Sequence, residues 1–207
     1  MISRRDWLSG TAALLLVRDA LAQGRVESGV RTAYGDVRVN GKPVRRGMAL
    51  RAGDSVSTGP ESQAVFVLGA DAFLVRQQSE ASFLKAGLRI ATGAVLSVFA
   101  RGARRIETGT AVIGIRGTAV YVEAQGGRSY VCTCYGEAVL EPRDDPAARE
   151  TVRTTHHEQP RYILAKGAPQ MMMHAPVVNH TDAELEMLEA LVGRTPPFVG
   201  KGYKPYY

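Results

Sequence analysis

The sequence predicts an all-β fold, a short-strand sandwich or β-solenoid-like domain, closed by one C-terminal amphipathic helix. Three observations carry this. First, 22 glycines and 10 prolines in 207 residues exceed their usual combined share of about 12%, so turns are frequent and long helices few. Second, apolar residues occur in short runs bounded by turn residues, which is the pattern of strands. Third, a single stretch near the C-terminus has helical spacing.

The strands follow in order from about residue 34. Val37 and Val39 alternate with Asp36 and Arg38, and Asn40-Gly41 supplies a hairpin turn. Gly53-Asp54 is a second turn. Residues 63–68 form a compact apolar run suited to a buried strand; Gly69-Ala70-Asp71 turns it, and residues 72–75 return. Residues 93–100 make a further strand. Residues 112–115 and 118–123 follow, separated by Gly117. Gly126-Gly127 turns into residues 129–135, and Gly136 leads into residues 138–140. Residues 142–150 are rich in charge and proline and read as a surface loop, with one more strand expected at residues 161–164. Thr181-x-x-Glu184 is a capping box. Leu185, Leu188 and Val192 continue at helical spacing, giving a helix over about residues 182–192 that Gly193 stops.

The first 22 residues read as an export signal. A basic start at Arg4-Arg5 precedes the apolar stretch from Leu14 to Val17, and Ala20-Leu21-Ala22 is a small-x-small cleavage site. Ser3-Arg4-Arg5-x-Trp7-Leu8 is similar to the twin-arginine export motif. The expected location is the periplasm, after cleavage behind Ala22. No apolar run reaches the ~18 residues of a membrane span, so an integral membrane protein is not expected. The net charge is +6. The arginine groups Arg45-Arg46, Arg101 and Arg104-Arg105 lack the interleaved aromatics of a strand-binding surface. No nucleic acid partner is expected.

Residues 34–140 resemble the FecR-like domain of bacterial envelope proteins. The matching strings are Gly35-Asp36-Val37-x-Val39-Asn40-Gly41, Gly53-Asp54-x-Val56-x-Thr58-Gly59, Thr108-x-Thr110-Ala111-x-x-Gly114-Ile115-Arg116-Gly117-Thr118, and Gly136-Glu137-Ala138-Val139. The resemblance implies a periplasmic all-β interaction module whose partner is an envelope protein or a cell-wall polymer, with residues 141–207 as an extension packed on it. The family's best-known members regulate a sigma factor through a cytoplasmic N-terminal region. This chain opens with an export pattern instead, and that role is not carried over. Enzyme signatures are absent: there is no Gly-x-Ser-x-Gly, no phosphate-binding loop, and His157-Glu158 is broken as a helical zinc motif by Pro160.

One constellation lies outside the family pattern. Cys132-Thr133-Cys134 falls in an expected strand, where residues i and i+2 share a face. All four histidines, His156, His157, His174 and His180, follow it, and Met171-Met172-Met173 precedes His174. Thiolates and imidazoles suit zinc; thiolates and thioethers suit copper(I). The alternative function is therefore a periplasmic metal-binding or thiol-redox protein. Its site would hold Cys132 and Cys134 first, then His156 or His157, with His174 and His180 behind them. A local disulfide, or two small core cysteines, are the other readings of the pair.

Overall fold

The computed structural model describes residues 28–204; the expected export signal, residues 1–22, lies outside the described residues. Fifteen strands and one α-helix build two sheets packed face to face. The first sheet runs β1 (Gly29–Tyr34), β5 (Gln63–Leu68), β6 (Asp71–Val75), β8 (Gly87–Val98), β11 (Ala119–Gln125), β12 (Arg128–Pro142), β14 (Arg161–Leu164) and β15 (Met172–His174). The second runs β3 (Lys42–Pro43), β2 (Val37–Val39), β4 (Ser55–Thr58), β7 (Glu80–Leu84), β8, β9 (Ala103–Glu107), β10 (Ala111–Arg116), β12 and β13 (Glu150–Thr154). All pairs are antiparallel except β8 with β9. A solenoid would stack its strands in parallel, so the architecture is the sandwich.

The sheets share β8 and β12, each of which crosses from one sheet to the other. Residues 87–92 of β8 pair in the second sheet and residues 93–98 in the first. Residues 128–135 of β12 pair in the first and residues 136–142 in the second. Each crossing is made at a glycine with positive φ, Gly93 at 85° and Gly136 at 89°. A Cβ on Gly136 would sit 2.8 Å from Thr118. The Gly117-Thr118 end of the family-like string is therefore the packing surface on which β12 bends.

The interior between the sheets is apolar because each strand alternates. Phe66, Phe73, Phe83, Ile90, Ile106, Ile113, Val122 and Leu140 are among the buried residues that form it. Phe83 stands edge-on to Phe66 and Phe73, at ring separations of 5.9 and 5.1 Å.

A second apolar layer lies on the outer face of the first sheet. Helix α1 (Asp182–Leu191) lays Leu185, Met187 and Leu188 over Leu74, Leu96 and Val98. The expected capping box is formed by Thr181 and Glu184, and the same layer receives Tyr130, Cys132 and Cys134 from β12. Val131, one residue out of phase, faces the interior instead. The pleat of β12 thus turns both thiols toward the C-terminal extension. Among the described residues no helix is long and apolar enough to cross a membrane.

Strands β1, β4, β7, β9 and β13 go beyond the sequence expectation, and the sandwich continues past residue 140 into β13–β15. Charge hides them. In β9 Arg104, Arg105 and Glu107 accompany a single large apolar residue, Ile106. Outside, Arg89, Arg105 and Arg143 converge on the buried Glu107 carboxylate. Burial alone would raise the pKa of Glu107. The Arg89 hydrogen bond and the surrounding guanidinium charges outweigh it and hold the carboxyl below its usual range. The basic surface is to that extent internally neutralised.

Candidate metal centre

Three segments bring the chemistry together. Strand β12 supplies Cys132 and Cys134, the loop after β13 supplies His157, and the loop before α1 supplies His180. The four ligand atoms all lie within 4.8 Å of one another, and all four residues are buried. Nδ1 of His157 stands 3.4 Å from Sγ of Cys132 and 3.0 Å from Nε2 of His180. A tetrahedral zinc site, with bonds of about 2.3 Å to sulfur and about 2.05 Å to nitrogen, has edges of about 3.3–3.8 Å. The two separations given, 3.4 and 3.0 Å, lie near those edges.

The backbone aims each ring. His157 has φ of 62°, a left-handed conformation that costs a non-glycine residue about 1–2 kcal/mol. Its N–H donates to the Cys134 carbonyl at 2.9 Å, which ties the loop to the cysteine strand. His180 stacks on Tyr121 of β11, at a ring separation of 4.6 Å and an interplanar angle of 21°.

The far nitrogens are committed elsewhere, and this fixes the tautomers. His180 Nδ1 lies 2.7 Å from the Val178 carbonyl oxygen, which can only accept. His157 Nε2 lies 3.1 Å from Oδ1 of Asp182, a carboxylate. A neutral imidazole has one N–H. Both remaining nitrogens, His157 Nδ1 and His180 Nε2, therefore present lone pairs to each other. In neutral rings these lone pairs face each other beside two thiols, an arrangement that a metal cation or a shared proton between the nitrogens relieves.

The thiols respond to the same cluster. Burial pushes Cys132 up, but hydrogen bonds with Cys134, His157 and His180 outweigh it and hold the thiol well below its ordinary value. Cys134 is driven the other way, by burial and by its neighbour Cys132. For His157, burial alone would lower the pKa; Cys132 and Asp182 overcome that and raise it.

The remaining sequence candidates lie outside the four-residue cluster. His156 is buried next to it, with Nε2 at 3.0 Å from both oxygens of Asp182 and its ring against Phe198. His174 is exposed on the edge strand β15, 3.0 Å from Arg161. Met172 packs against the sandwich interior and Met173 is exposed. Asp182 was not a sequence candidate. The signal for it is its position, the first helical residue after the cap, two residues beyond His180.

No family model matches the chain, and no curated protein does. The solved structures that match include two crystal structures of a candidate anti-sigma factor from Parabacteroides distasonis. Each aligns with 58% of this chain and 59% of that chain, at 10% identity and a TM-score of 0.49. The match thus spans less than two thirds of either chain.

Proposed function

We propose that this chain is a zinc-binding interaction module of the bacterial envelope, with the metal held by Cys132, Cys134, His157 and His180. The observation that supports this most is the convergence of four buried ligand atoms within 4.8 Å of one another, two thiol sulfurs and two imidazole nitrogens, the nitrogens 3.0 Å apart. Four protein ligands fill a tetrahedron and leave no open position, which is the pattern of a structural rather than a catalytic site. Two thiolates and two imidazoles are a common zinc ligand set. The metal would join the C-terminal extension to the sandwich, and the sandwich itself would work by binding.

The thiol-redox alternative fits less well. Residues two apart in an extended strand have Cα atoms ~6.6 Å apart, near the ~6.8 Å limit for a disulfide. Cys132 is held in register against Tyr121, and the Cys134 carbonyl is bound by His157. Closing a disulfide would break that register. Export to the periplasm is supported by the N-terminal pattern. An envelope protein or cell-wall polymer as partner is supported by the FecR-like strings. Elemental analysis of the full chain, purified without chelator, is expected to give one zinc per chain. The Cys132→Ser/Cys134→Ser variant is expected to carry none. A metal-free wild type that takes up no zinc on titration would overturn the reading.

A further inference from the structure

The start of α1 joins the metal cluster to the C-terminal helix. His180 and Asp182 flank Thr181, the N-cap of the helix. One is a proposed ligand; the other is the carboxylate on which both His156 and His157 rest, at 3.0 and 3.1 Å. Resting on the zinc reading above, we propose that Asp182 is a positioning residue that couples metal occupancy to docking of the C-terminal helix.

The geometry supplies the mechanism. The Asp182 carboxylate accepts from His157 Nε2 and so directs Nδ1 toward Cys132 and His180, where the metal would sit. Such outer carboxylates raise ligand basicity and fix ring orientation. The same residue occupies the first turn of the helix, where negative charge is favourable. With the metal bound, His157 is immobile, Asp182 has a fixed partner, and His180 pins the chain one residue before the cap. With the metal removed, His157 Nδ1 and His180 Nε2 repel unless a proton is taken up or the loops part. Parting of the loops moves the residues that hold the N-cap, and a shared proton ties the rings at their 3.0 Å separation less firmly than a metal bonded to both and to the two thiolates.

The helix has little independent means of surviving that movement. It has ten residues, shorter than the ~12–15 at which isolated helices become even marginally stable in water. Its other anchors are Arg76, which donates to Glu184 and to the Asn179 carbonyl, and Glu189, which accepts from Tyr135 and Arg194. Glu184 and Arg76 stand at the same end as the metal cluster. At the far end the Glu189 group is joined by the apolar packing of Leu188 and Leu191 and by Arg194, which donates to the Ala70 carbonyl. The structure therefore makes the N-terminal half of α1 the part governed by the metal.

The test is amide hydrogen exchange on the full chain, zinc-loaded and chelated, in wild type and Asp182→Ala. In wild type, chelation is expected to speed exchange in residues 182–191 by more than tenfold, while β9 and β10 stay protected. Asp182→Ala is expected to weaken zinc affinity 10- to 100-fold. It should also reduce helix protection in the zinc-loaded state much more than in the chelated state. If the substitution lowers protection equally in both states, Asp182 serves only the helix end and the coupling is refuted. If one zinc binds and wild-type helix protection ignores its removal, the coupling is refuted while the zinc reading stands. A chain that binds no zinc overturns the zinc reading itself. Asp182→Asn gives the same readouts should the alanine variant fail to fold.

Discussion

Stripping the metal is expected to lower the melting temperature of the full chain by roughly 8–16 °C. A ligand present at ~1,000 times its dissociation constant stabilises the folded state by about 4 kcal/mol. A domain of this size shifts by roughly 2–4 °C per kcal/mol. The loss has a local physical source. Without the cation the four buried groups must share protons, with Cys134 held high by burial and Cys132 held low by its neighbours. Differential scanning calorimetry with and without a chelator measures the shift. The Cys132→Ser/Cys134→Ser variant should melt near the chelated wild type and be indifferent to the chelator. A wild-type melting temperature unmoved by complete metal removal would mean that the cluster is held by protons alone.

Gly93→Ala is expected to destabilise the chain by about 2–6 kcal/mol. Two effects add at this position. The φ of 85° is left-handed, which costs a side-chain-bearing residue about 1–3 kcal/mol. An added Cβ would also lie 2.4 Å from the Ser79 Cα, a backbone atom that cannot swing aside, and overpacking costs about 1–3 kcal/mol more. Ser79 is itself fixed there, its Oγ accepting from the Ala94 N–H at 2.9 Å. Gly41→Ala is the control. Its φ is 74°, but no atom lies within 4 Å of the added Cβ, so only the conformational cost remains. Urea denaturation of the three proteins compares them. Equal losses for the two variants would remove the close approach at the β8 crossing from the account.

The legible parts of the fold were those determined locally. Residues 63–68 alternate too little and are too apolar to be anything but a buried strand, and β5 has those bounds. Thr181 and Glu184 write the helix start within four residues. Strand β9 escaped because Ile106 is its one large apolar residue, and its other buried residue is the charged Glu107, held by surrounding arginines. The two expected strands around Gly136 are one strand, β12, because a glycine bends it between sheets rather than ending it.

The site divides in the same way. A strand pleat is a local rule, so the shared face of Cys132 and Cys134 could be read directly. Which of His156 and His157 joins them could not. The choice turns on the left-handed backbone at His157, which the neighbouring residue types do not announce. Proximity in sequence to the methionine run favoured nothing real about His174, which the edge strand carries out to Arg161. His180 reaches the thiols only because the helix that follows it docks on the first sheet, a tertiary fact.

Zinc K-edge X-ray absorption on the full chain tests the central claim most directly. The account predicts two sulfur neighbours at about 2.3 Å and two imidazole nitrogens at about 2.0–2.1 Å. Loss of both sulfurs is expected in Cys132→Ser/Cys134→Ser. A spectrum fitted by oxygen and nitrogen alone, in the wild-type chain, would place the metal away from Cys132 and Cys134 and contradict the account.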